Sequence, residues 1–166
     1  VQRLSRQNAY RSLTLSRQER ARLAERSKTH DVRNRAALPL ESQHSLLMKS
    51  MLVIDGSEIF SRLFAEIFEK VGWSVGICGH RECAIEQLAG GEHYDAILLG
   101  YKVHGTTGLQ LVRLIRSLEH RKMTAVVMLT DNGDVTEEAL AAGADEVLLK
   151  PINPPALVWV VDKHVS

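Results

Sequence analysis

The sequence is short of several features that would define its chemistry at once. It has two cysteines in 166 residues, Cys78 and Cys83. Two thiols alone supply no metal or disulfide framework, and both are expected to stay reduced in a cytoplasm. No apolar run exceeds six residues, far short of the roughly 20 that a membrane-spanning helix needs. No charged-then-apolar secretory segment follows Val1. No glycine-rich phosphate loop follows the first apolar run, where DGSEIF stands instead. No Ser-His-Asp or Cys-His set falls on neighbouring strand ends. These absences argue against a membrane protein, a nucleotide-binding protein and an enzyme.

What is present divides unevenly. The formal net charge is +1, but it hides an asymmetry. Residues 1–50 carry eleven Lys/Arg against four Asp/Glu, a net of +7, and residues 51–166 carry ten against sixteen, a net of −6. Residues 1–47 read as a basic, partly helical extension and linker. Ser16 and Glu19 make a capping box, good helix formers run from Arg17 to Lys28, and Pro39 forbids a helix interior. Leu13, Leu15, Leu23 and Ala24 are too thin a stripe to build a core. Such an arm can contact nucleic-acid phosphates or an acidic protein surface. It has Tyr10 but no interleaved aromatics and no helix-turn-helix, so nucleic acid is the lesser expectation.

From Met48 the pattern changes, and 48–166 reads as one domain. Five short apolar segments (SMLVID, WSVGIC, DAILLG, TAVVMLT and DEVLLK) alternate with five helical ones. In the first helical segment Ile59, Phe60, Leu63, Phe64, Ile67, Phe68 and Val71 recur at helical spacing, with Ser57 as cap. Strands that are apolar throughout imply a parallel sheet covered on both faces. The expected fold is α/β: a doubly wound, five-stranded parallel sheet in a three-layer sandwich. Ligands in such folds gather beyond the carboxyl ends of the strands, here Asp55, Cys78, Gly100, Thr130 and Lys150.

The stretches LVIDGS, TDN and GADEVLLKPINPPAL, in that β-α order, make residues 51–165 resemble a response-regulator receiver domain, the CheY-like module of two-component signalling. The resemblance implies an acid pair that holds Mg²⁺, a phosphoacceptor aspartate, a Thr or Ser, a Lys and a switching aromatic. Asp55 fills the first acidic position, but Gly56 stands at the second and Gly100 at the phosphoacceptor. Thr130 and Lys150 are in place, and Pro151 follows the lysine. The aromatic position is Val147. Beyond the third strand the usual proline is His104, and the later glycine is Gly108.

Charge sharpens this reading. Three carboxylates and one ammonium leave an excess of negative charge that a divalent cation relieves. Asp55 and Lys150 alone balance and can pair directly. No metal and no cofactor are expected, and Mg²⁺ binding is not. The expectation is a degenerate, cytoplasmic pseudo-receiver that works through protein contacts without phosphorylation. The alternatives are a receiver phosphorylated on another residue, or one that dimerises a DNA-binding arm. Tyr101, Lys102, His104, His80 and His93 read as solvated surface. Val158 and Trp159 in the last helix, with Val147 and Pro151, mark a candidate protein or homodimer face formed by the fourth helix, fifth strand and fifth helix.

Overall fold

The structure, a computed structural model, describes residues 48–165. These lie within Met48–Ser166, the second of the two units into which the chain divides. The basic arm, with its expected helix and capping box, lies outside the described residues.

Five strands form one parallel sheet: β1 (Ser50–Ile54), β2 (Ser74–Cys78), β3 (Ala96–Gly100), β4 (Ala125–Thr130) and β5 (Glu146–Leu149). Their order across the sheet is β2-β1-β3-β4-β5. Between and after them run α1 (Glu58–Glu69), α2 (Arg81–Ala89), α3 (Gly108–Ser117), α4 (Thr136–Ala142) and α5 (Pro154–Val165). This is the expected doubly wound fold. No described helix is long and apolar enough to cross a membrane.

Two-residue periodicity splits the core. Leu52, Ile54, Ile97, Leu99, Val126 and Met128 point to the side covered by α2, α3 and α4. Met51, Val53, Leu98, Val127 and Leu129 point to the opposite side, against α1 and α5. The central strands β1, β3 and β4 are buried on both faces. The edge strands are not: Ile77 of β2 and Leu149 of β5 are exposed. Strands uniformly apolar in sequence therefore differ in burial because only the inner three have neighbours on both sides. α1 packs through Phe64 and Phe68, and Phe68 meets Trp73 edge-on with ring centroids 5.5 Å apart.

Side-chain caps start α1 and α3. The Ser57 hydroxyl accepts the Phe60 amide at 3.4 Å, and Thr107 with Gln110 makes a capping box for α3. Arg121 is almost wholly buried. Its guanidinium donates to the Leu88, Gln87 and Gly90 carbonyls that end α2 and lies 4.9 Å from the Tyr94 ring. Those bonds satisfy both the buried cation and the orphan carbonyls of the helix end.

Two features depart from the sequence reading. The loop after β3 is not simply solvated: Lys102–Val103 pairs with Thr106–Thr107 as a short antiparallel ribbon tipped by His104 and Gly105. The cysteines are not free thiols. The turn through Gly79 and His80 brings the Cα atoms of Cys78 and Cys83 to 5.6 Å, and their sulfurs are bonded. One cysteine closes a strand and the other opens a helix, so the turn between them, not their number, makes the bridge.

Replacing Phe68 with Ala should cost about 3–5 kcal/mol of unfolding free energy, measured by urea denaturation. An exposed change on the same helix, Glu66→Ala, should stay within about 0.5 kcal/mol.

Candidate functional site

At the carboxyl edge of the sheet is a cleft of about 490 Å³, lined by Asp55, Ser57, Phe60, Tyr101, Lys102, Thr130, Asp131 and Lys150, among others. β1 delivers Asp55, β4 delivers Thr130, and the residue after β5 is Lys150. The parallel sheet thus brings sequence-distant ends to one rim.

Asp55 is 4% exposed. A carboxylate so buried needs donors on both oxygens, and it has them. Oδ1 accepts the Ser57 amide at 2.8 Å, and Oδ2 accepts the Lys150 ammonium at 2.8 Å. The ammonium also sits 4.3 Å from the centroid of the Phe60 ring, which stacks on Phe64. A carboxylate on one side and an aromatic face on the other confine Lys150.

The two glycines of the site are crowded positions. A Cβ placed on Gly100 would lie 2.3 Å from Asp55 Oδ2 and 2.7 Å from its Cγ. The carboxylate leans into the volume that any side chain at the end of β3 would use. A Cβ on Gly56 would lie 2.9 Å from the Lys102 carbonyl, which accepts the Gly56 amide at the same distance. Glycine is what allows both close approaches.

Thr130 is also committed. Its Oγ1 accepts the Asn132 amide at 3.1 Å and reaches the Asn132 carbonyl at 3.2 Å, a local turn bond of the kind threonine favours. On the rim, Lys102 pairs with Asp131 at 3.1 Å. The hydrogen bond from that ammonium holds the Asp131 carboxyl below its usual range. His104 Nδ1 lies 3.1 Å from the Gly79 carbonyl, so that nitrogen carries the proton. Among the described residues, no group of three or more His, Cys, Asp or Glu is placed to hold a metal ion.

The other singled-out residues lie elsewhere. Val147 is half-buried in β5 and packs on the core side shared with α2, α3 and α4. Pro151 is exposed just beyond Lys150. Val158 is half-buried, and Trp159 is 65% exposed with the Lys163 ammonium 5.7 Å from its ring. His93 is exposed and pairs with Asp95. His80 is exposed too, but its ring accepts the Cys83 amide at the start of α2. Sequence reasoning missed the parts played by Phe60, which only folding carries over Lys150, and by the Lys102 carbonyl. The β-branched residues flanking His104 and Gly105 were the available sign of a ribbon.

The family model of the response regulator receiver domain matches residues 51–162. The chain is 32% identical over 116 residues to the aerobic respiration control sensor protein ArcB of Escherichia coli, covering 69% of this chain and 15% of ArcB. It is 30% identical over 112 residues to the transcriptional regulatory protein ResD of Bacillus subtilis, covering 65% of this chain and 44% of ResD. The match therefore spans less than half of either relative. Among solved structures, the chemotaxis response regulator CheY4 of Vibrio cholerae superposes with a TM-score of 0.66 at 24% identity, covering 70% of this chain and 98% of CheY4.

Lys150→Met should destabilise the domain by about 3–5 kcal/mol at neutral pH, because Asp55 stays buried without its cation. The double variant Asp55→Asn/Lys150→Met should recover at least half of that loss in the same urea titration. Gly100→Ala, which pushes the carboxylate off both partners, should cost about 2–4 kcal/mol.

Proposed function

The chain belongs to the response regulator receiver family, and we propose that this domain acts within it as a phosphorylation-independent protein-interaction module. One observation carries the proposal. The space for a side chain at Gly100 is filled by the Asp55 carboxylate, held there by Lys150 and the Ser57 amide. Glycine supplies no oxygen to become an acyl phosphate. The four charged groups of the cleft pair off, Asp55 with Lys150 and Lys102 with Asp131, so no excess negative charge draws in a cation.

The residues do not fit the magnesium that the family implies. Mg²⁺ asks for carboxylate oxygens and waters in close octahedral order. Both Asp55 oxygens are engaged, the Gly56 position is closed by the Lys102 carbonyl, and Asp131 on the rim is paired with Lys102. A threonine bonded within its own turn and a valine at the switch position also lack the moving parts of a phosphorylation relay. The floor of the pocket is read as fixed in one arrangement, and the domain as recognised by a protein partner without phosphorylation.

The contact surface favoured is the face of α4, β5 and α5. Leu140, Leu149 and Trp159 are exposed there, one on each element. Exposed large apolar residues on adjoining elements are candidates for such a contact. Val147, Val158 and Pro151 flank them, and the assembly would be a homodimer or a complex with another regulatory protein.

Adding acetyl phosphate, or beryllofluoride, with Mg²⁺ to the full chain should leave its amide spectrum unchanged and its mass without a phosphate. Shifts centred on Asp55 and Gly100 would overturn the proposal. In sedimentation equilibrium, Leu149→Ser/Trp159→Ala should weaken any self-association at least about tenfold, the loss of roughly 1.4 kcal/mol.

A further inference from the structure

We propose that Cys78 and Cys83 form a reversible thiol–disulfide switch that exchanges with low-molecular-weight disulfides and thiols, and that its state is transmitted to His104 in the cleft. The two sulfurs differ in access. Cys78 closes β2 and is 1% exposed, whereas Cys83 lies partly exposed in the first turn of α2. The N-terminal turn of a helix favours a thiolate, because its amide groups point toward the charge. Cys83 is therefore the sulfur that meets the external reactant, and Cys78 is its buried partner.

The chemistry balances with a small disulfide as oxidant. The Cys83 thiolate attacks one sulfur of that disulfide, forming a mixed disulfide and releasing one thiolate. The Cys78 thiolate then attacks Cys83 Sγ and releases the second. Two protein thiols lose two electrons and two protons, and the small disulfide leaves as two thiols. A thiol reductant reverses both steps by attacking Cys83 Sγ, with Cys78 as leaving group.

The bridge spans a turn on which the cleft depends. The Cys78 carbonyl accepts the Asp55 amide at 3.1 Å. Within the bridged turn, the Gly79 carbonyl accepts His104 Nδ1 at 3.1 Å, and the Arg81 amide donates to the His104 carbonyl at 2.9 Å. His80 and His104 pair as an isolated parallel bridge. With the disulfide closed, the turn from Cys78 to Cys83 is a small ring that fixes the seat of His104. With it open, hydrogen bonds alone hold the turn, and His104 gains freedom at the mouth of the cleft. This inference does not depend on whether the domain accepts a phosphate.

The test uses the full chain. After oxidised glutathione, alkylation in denaturant should add no groups; after dithiothreitol it should add two. Two groups in both samples would overturn the proposal, as would a bridge that dithiothreitol opens only when the protein unfolds. Reduction should move the amide resonances of residues 79–83 and of His104 and leave those of α3 in place. Changes confined to 78–83 would overturn the transmission to the cleft. Cys78→Ser should capture one glutathione on Cys83, and Cys83→Ser should capture none on the buried Cys78. Equal capture by both would overturn the assignment of the attacking sulfur. Circular dichroism establishes that each variant is folded, and the wild-type alkylation count stands without them.

Discussion

An ion pair that spans the sheet governs the geometry of this domain's cleft. Asp55 follows β1 and Lys150 follows β5, and β3 and β4 lie between those strands. The pair can close at 2.8 Å only because nothing rises from the end of β3 to separate them. Gly100 is thus a condition for the contact. A buried carboxylate without a cation is costly, and so is a buried ammonium. Each makes the other tolerable, and the Ser57 amide and the Phe60 ring complete their surroundings.

The rest of the cleft follows from the same compactness. With Gly56 bare, the ribbon after β3 can come down until the Lys102 carbonyl meets the Gly56 amide. That descent sets Lys102 beside Asp131 and His104 beside the turn after β2. Two missing side chains, at positions 56 and 100, let neighbouring groups move into their space. The pocket is open at its mouth but engaged at its floor, where both carboxylate oxygens and the threonine hydroxyl have partners within the protein. The three inner strands of the sheet beneath are buried on both faces. A floor built on such strands holds its groups in one arrangement.

Relatives of quite different overall make-up share this module. The matched stretch is 15% of a sensor protein and 44% of a transcriptional regulator. A fold that serves in both settings does not by itself define a pathway, and function lives in the sites it carries. The two places proposed as such sites lie at opposite edges of the sheet: the exposed apolar residues on α4, β5 and α5, and the bridged turn between β2 and α2.

How much was legible in the sequence depended on the range of the interaction involved. The alternation of apolar runs with helical stripes determined the five strands, the five helices and the two-sided core, because those patterns are local and periodic. The residues at the strand ends were named for the same reason: a parallel sheet puts every carboxyl end on one edge. That Asp55 meets Lys150 was expected from the receiver resemblance, which set both in one pocket, together with their opposite charges. Tertiary structure decided what periodicity does not encode. It placed the Asp55 carboxylate in the space above Gly100 and brought the Lys102 carbonyl onto Gly56. It set Phe60 against Lys150 and folded a ribbon of two-residue strands out of what read as loop. It also joined Cys78 to Cys83, which composition had assigned to free thiols. Each of these depends on the distance between groups from different elements, and only the packed chain fixes such distances.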